Sequence, residues 1–208
     1  GGRGRAGLML RADFPTGLAA LAERYDAFIF DLWGVLHDGV HLYPEAMAVL
    51  QALRAARKKV GIISNSPRPT AFAAENIAQK FGLTKDHYDV LMTSGELAYE
   101  ALRDRPDEAL QQMGTRCITI GPSHETAPYL ALGLQAVSDP AQADFVLCTG
   151  LTPGKDRLEA YHAAMQQWLA QGLTFFCANP DRVVMKQGVL NIAGGTLAEA
   201  YQLMGGKM

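Results

Sequence analysis

The sequence predicts an α/β fold: a doubly wound parallel sheet joined to a second α/β module. Three observations lead there. An apolar run over residues 27–30 ends on Asp31 and breaks into the glycine-bearing loop Leu32-Trp33-Gly34-Val35-Leu36-His37-Asp38-Gly39. Strand-length apolar runs and helical periodicity then alternate through residue 103, which argues for parallel strands with crossover helices. After Pro106 the alternation restarts with a different pattern, so a second module is expected.

Each element has its own signal. A short helix is expected over residues 14–24, carrying Leu18 and Leu21. Phe28, Ile29 and Phe30 are apolar without alternation, as in a strand covered on both faces. Asp31 falls at the carboxyl end of that strand, where open α/β sheets bind ligands. Pro44 opens a helix whose Ala46, Val49, Leu50 and Leu53 recur at the spacing of one buried face. The second strand, 60–63, delivers Ser64 and Asn65 to the same sheet edge as Asp31, given a right-handed crossover. Pro67 and Pro69 restart a helix through Phe72, Ile77 and Phe81, which Gly82 stops. A third strand, 88–92, leads to Thr93 and Glu96 in capping-box spacing and a helix to residue 103.

Beyond Pro106, strands are expected at 117–120, 134–137, 145–148 and 173–177. The longest helix, about 155–171, sets Leu158, Tyr161, Met165, Trp168 and Leu169 on one side. Met165 and Trp168 read as core residues there. Thr196, Glu199 and Gly205 predict a last capped helix over 196–205.

Composition narrows the function. With 49% apolar residues, 19% charged residues and a net charge of −2, the 208-residue chain can bury a substantial core. It has no basic run of the kind that nucleic-acid binding needs. Nor does any segment reach the roughly 18 apolar residues of a membrane span. Cys117, Cys148 and Cys177 are odd in number and sit in apolar runs, which fits reduced, buried thiols and a cytoplasmic chain. Residues 1–13 are set aside as a leader or expression remnant.

The run Phe-Asp-Leu-Trp-Gly-Val-Leu-His-Asp-Gly at 30–39, followed by Ser-Asn-Ser-Pro-Arg at 64–68, resembles the first two motifs of the haloacid dehalogenase-like (HAD) hydrolase superfamily. Ala-Asn-Pro-Asp at 178–181 resembles a further feature of its class IIA branch, which includes p-nitrophenyl phosphate, pyridoxal phosphate and nucleotide phosphatases. The resemblance implies a HAD core over 14–105, a class IIA cap over 106–190 and a return to the core over 191–208. It implies a phosphomonoester hydrolase acting on a small-molecule phosphate ester, with Asp31 as the nucleophile. Ser64 would hydrogen-bond the transferring phosphoryl group. Gly34, Asn65, Ser66 and Arg68 would contact substrate, with the backbone N–H groups of Ser66 and Arg68 as further donors. Asn179 and Asp181 would position the cap. Mg²⁺ would be held by the Asp31 carboxylate and the Trp33 carbonyl. Arg68, Lys155, Arg157, Arg182 and Lys186 are candidate contacts for an anionic substrate.

Three departures from the family pattern qualify this. Most HAD phosphatases carry an acid/base Asp two residues after the nucleophile, where this chain has Trp33. General acid–base assistance is worth about 10²–10⁴-fold, and an indole cannot supply it. His37 and Asp38 are either substitutes or loop residues bonding the backbone. Ser66 stands where many class IIA sequences have Asn. The later lysine and Gly-Asp motifs have no match before Met208, so a chain ending after its cap is expected. Its first strand would then have an unpaired edge, and a homo-oligomer is expected from that. Two rivals follow: a metal-independent carbon–halogen hydrolase, since a halide leaves without a proton, and a phosphate-ester-binding protein without turnover.

Overall fold

The computed structural model describes residues 17–152, 156–186 and 188–208. The expected leader and the first residues of the 14–24 helix lie outside these, as does Lys155. The chain runs α1 (Leu18–Ala22), β1 (Ala27–Asp31), α2 (Pro44–Ala55), β2 (Lys59–Ser64), α3 (Thr70–Phe81), β3 (Val90–Thr93) and α4 (Ser94–Asp104). It continues with α5 (Glu108–Gln112), β4 (Arg116–Ile120), α6 (Ser123–Leu130), β5 (Gln135–Ala136), β6 (Phe145–Cys148), α7 (Leu158–Ala170) and β7 (Thr174–Cys177). Last come β8 (Val183–Lys186), β9 (Val189–Ile192) and α8 (Gly194–Leu203).

Two parallel sheets organise these elements. The first has order β1-β2-β3, with Asp31 level with Ile63 and Ser64 level with Thr93. Both crossovers step the same way, so right-handedness places α2 and α3 on one face. Ala46, Leu50 and Leu53 of α2 and Ala73 and Ile77 of α3 share a core there with Phe28, Val60, Ile62 and Leu91. The other face is open, which corrects the expectation of a first strand covered on both sides. Ile29 is 71% exposed, and Ile63, Val90 and Met92 are exposed beside it. β1 is an edge strand of this sheet.

The second sheet is parallel throughout, with order β5-β4-β6-β7, so the chain adds β5 on one side of β4 and β6 and β7 on the other. It is covered on both faces, which is why all four residues of β6 are buried. On one side Met165 and Trp168 of α7 pack with Leu197 and Tyr201 of α8 and with Phe175. On the other, Tyr129 of α6 packs with Cys117, Phe145 and Leu147, and Ala98 and Leu102 of α4 join them. The helix just before Pro106 and the last helix therefore both pack on the second sheet.

Helix ends show where local chemistry met or missed expectation. Gly82 stops α3 at φ 69°. At α4, Thr93 Oγ1 accepts from the Glu96 N–H at 3.0 Å, but Glu96 Oε2 accepts from the Thr70 N–H instead of closing a reciprocal box. The capping box expected at Thr196 does not form. α8 begins two residues earlier, Thr196 Oγ1 donates to the Arg182 carbonyl, and Glu199 pairs with Arg182. The antiparallel hairpin β8–β9 was not anticipated. No helix among the described residues is long and apolar enough to cross a membrane.

Candidate active site

Parallel register brings Asp31 and Ser64 to one sheet edge. With Asn65, Ile63, Met92, Thr93, Ser94 and Leu97 they line a cleft of about 310 Å³. A larger apolar groove of about 550 Å³ lies between α7 and α8. Among the described residues its titratable lining groups are Glu159 and His162, and none of its described lining residues lines the cleft.

Asp31 is exposed, and its Oδ1 accepts from the Leu32 N–H at 2.7 Å. The loop after it is held rigidly from below. Leu32 and Leu36 are buried, the Gly34 N–H donates to the His37 carbonyl at 2.7 Å, and Gly34 has φ 83°. The His37 ring is buried, stacks on Phe81 at 4.4 Å, and accepts from the Gly39 N–H through Nδ1 at 2.8 Å. Burial, aided by the nearby Lys80 charge and opposed by Asp38, lowers the imidazole from its usual 6.5 to about 4. Asp38 Oδ1 accepts from the N–H groups of Val40 and His41, which hold its carboxyl below the usual range. Of the two roles weighed for His37 and Asp38, the structure gives them the backbone-bonding one. Both are built into the loop.

Trp33 is 37% exposed. Its indole lies against Gly39, where a Cβ would sit 2.2 Å from the indole Cη2, and its Nε1–H donates to the Met185 carbonyl at 2.9 Å. The ring therefore reaches toward β8.

The second loop is equally ordered. Ser64 Oγ accepts from the Ser66 N–H at 3.2 Å, and Ser66 Oγ accepts from the Arg68 N–H at 3.4 Å, so both backbone donors named from sequence are engaged within the loop. Asn65 Nδ2 donates to Asp181 Oδ1 at 2.8 Å, and Asn179 Oδ1 accepts from the Asp181 N–H at 2.9 Å. Arg68 extends away from the cleft, to His124 Nε2 at 3.0 Å and Glu125 Oε1 at 3.6 Å. Burial raises the Glu125 carboxyl against the pull of Arg68. Of the cap-side cations, Arg182 is paired with Glu199. Cys117, Cys148 and Cys177 are free thiols.

Sequence reasoning missed Gly95. A Cβ there would lie 2.3 Å from the Pro67 carbonyl, and the Gly95 N–H donates to the Ser66 carbonyl at 2.9 Å. The signal present was a glycine at the second position of a helix, where propensity disfavours it.

A divalent cation fits the donors only sparsely. Asp31 offers an exposed carboxylate, and among the described residues no N–H donates to the Trp33 carbonyl. Both are oxygen donors, as Mg²⁺ prefers, with solvent at hand for further ligands. Among the described residues no cluster of three or more His, Cys, Asp or Glu could hold a metal.

An exposed carboxylate and a hydroxyl at adjacent strand ends lie where open parallel α/β sheets bind ligands. Comparison with known proteins gives the family. The profile of the haloacid dehalogenase-like hydrolases matches residues 28–135. A haloacid dehalogenase-like hydrolase from Brucella suis 1330 is 34% identical, with a TM-score of 0.78 over 94% of this chain and 71% of that one. The chain belongs to the haloacid dehalogenase-like hydrolase family. Its fold is shared by a 4-nitrophenylphosphatase from Thermotoga maritima, at 18% identity and TM-score 0.59 over 88% of this chain and 66% of that one. A glycerol phosphate phosphatase from Mycobacterium tuberculosis, solved with calcium, gives 20% identity and 0.58 over 88% and 51%. The chain thus spans about half the length of the mycobacterial protein. No curated protein matches it.

Proposed function

We propose that the chain carries the nucleophile and phosphate-binding residues of a class IIA phosphomonoester hydrolase acting on a small-molecule phosphate ester. The observation that supports this most is that Asp31 and Ser64 end neighbouring parallel strands and line one cleft. In the proposed reaction an Asp31 carboxylate oxygen attacks phosphorus, the P–O bond to the leaving group breaks, the departing oxyanion takes a proton from solvent, and an aspartyl phosphate forms. Ser64 donates its hydroxyl hydrogen to a phosphoryl oxygen, since its Oγ already accepts from Ser66. Water then releases phosphate and restores the carboxylate.

The Asp31 carboxylate and the Trp33 carbonyl would hold Mg²⁺, which when bound neutralises charge on the phosphoryl oxygens. The mycobacterial neighbour, solved with magnesium as well as calcium, makes that ion a reasonable choice. Asn65 and Asp181 tie the Ser64 loop to the Asn179 loop, and the second sheet would serve as the cap. The test is Asp31→Asn, a near-isostere, assayed on p-nitrophenyl phosphate with and without Mg²⁺. The variant should lose turnover while its circular dichroism is unchanged. Turnover at the parent rate would refute the nucleophile.

A further inference from the structure

We infer that residues 181–185 form a strap across the mouth of the Asp31 cleft, and that Trp33 is the positioning residue that holds it there. The segment is tied at both ends to the loops that carry the site. Asp181 accepts from Asn65, the residue after β2, and the Met185 carbonyl accepts from the indole of Trp33, two residues beyond Asp31. Five extended residues reach about 13 Å, ample to cross between parallel strands about 4.8 Å apart. The strap therefore passes over the edge where Asp31 and Ser64 lie.

The anchoring direction is set from the Trp33 side. The indole lies on Gly39, whose φ of 88° and lack of a Cβ make room for it, and stands edge-on to His37 at 5.3 Å and 73°. The Lys80 ammonium donates to the Gly39 carbonyl and His37 stacks on Phe81, so this platform is packed independently of the strap. The strap's other end is equally determined. The Gly195 N–H donates to the Asp181 carbonyl at 2.8 Å, and Gly195 approaches Pro180 too closely for any side chain. The Asp181–Arg182 end is also tied to α8 through Gly195, Thr196 and Glu199, so the Met185 end is the one free to lift, and lifting it breaks the indole bond. Trp33, which cannot protonate a leaving group, would thus govern entry to the cleft; the assignment of what enters rests on the proposed phosphatase reading, whereas the strap itself does not.

The experiment needs no turnover. The chain has two tryptophans, so its ¹H–¹⁵N spectrum should hold two indole signals, and Trp33→Phe identifies one by its loss. The Trp33 indole hydrogen should exchange more slowly than a free indole. Asn65→Ala should speed it by about five-fold, the equivalent of one neutral hydrogen bond, while the Trp168 signal is unchanged. Asp181→Ala removes the same bond from the other side, should Asn65→Ala fail to fold. Trp33→Phe keeps a ring on Gly39 but loses the N–H, and should raise tryptic cleavage after Lys186 by a similar factor. A Trp33 indole exchanging at the free rate, one indifferent to release of Asp181, or cleavage unaltered in Trp33→Phe would each overturn the strap. An active phosphatase with any of these results would leave the Asp31 reading standing.

Discussion

Replacing Gly95 by Ala tests whether the Ser64 loop is positioned by backbone contact. The added Cβ would lie 2.3 Å from both the carbon and the oxygen of the Pro67 carbonyl and 2.5 Å from the Arg68 carbonyl carbon. Ordinary contact begins near 3.4 Å, so α4 and the loop must part by about 1 Å. That opens the Gly95 N–H to Ser66 carbonyl bond from 2.9 Å to about 4 Å, past hydrogen-bonding range. It also pulls apart the two acceptors of the buried Tyr129 hydroxyl, the Pro67 carbonyl at 2.7 Å and the Gly95 carbonyl at 3.1 Å. Overpacking costs about 1–3 kcal/mol and a lost hydrogen bond about 1 kcal/mol, whereas alanine gains up to about 1 kcal/mol in helix propensity. Gly95→Ala should therefore be destabilised by about 2 kcal/mol, read as a lower urea midpoint at unchanged slope. Stability equal to or above the parent would mean that propensity outweighs the contact and that the loop is not held this way.

Turnover should depend steeply on the leaving group, because Trp33 is bonded to Met185 and carries no acid; aryl phosphates should outpace alkyl phosphates, and a flat response across esters of rising leaving-group pKa would require another acid. His37, titrating near 4 when folded and near 6.5 when unfolded, leaves the unfolded chain binding the extra proton as pH falls between those values. Stability from this group is complete above about 6.5 and is lost toward 4, by up to about 3 kcal/mol; the urea midpoint of His37→Gln should fall less over that window than the parent's, and parallel falls would refute the assignment. The 208-residue chain should self-associate through the β1 edge and the open face of Ile29, Ile63, Val90 and Met92. Concentration-independent monomeric light scattering, with residues 27–32 strongly protected from hydrogen exchange, would show otherwise.

Much of this architecture was legible because the signals were local. Ala46, Leu50 and Leu53 fall on one helical face and are buried together, and Met165 and Trp168 are core as their spacing implied. Asp31 and Ser64 meet because each ends an apolar run, and strand ends in a parallel sheet share an edge. What failed was what depends on topology. Phe28-Ile29-Phe30 reads the same whether its second face is covered or open, and only the order β1-β2-β3 leaves Ile29 in solvent. At Thr196 and Glu199 a valid local pattern lost to Arg182, a partner from the preceding loop that takes both side chains.

The two loops of the site follow one plan that neither motif reveals alone. Ser64-Asn65-Ser66-Pro67-Arg68 is pressed by Gly95 near the start of α4, and Ala178-Asn179-Pro180-Asp181 by Gly195 near the start of α8. In each case a helix N–H that would lack an intrahelical partner donates instead to a loop carbonyl: Gly95 to Ser66, and Gly195 to Asp181. Ser94 Oγ lies within hydrogen-bonding distance of both the Ser66 and the Ala178 carbonyls, and Asn65 donates to Asp181, so the two clamped loops are also joined to each other. Backbone contacts of this kind leave few rotamers to order when an anion arrives, which is how a site gains preorganisation. The residues that enforce it carry no reactive group. A motif reading finds Ser64 and Asn179, but what clamps their loops is two glycines whose only chemical property is the absence of a side chain.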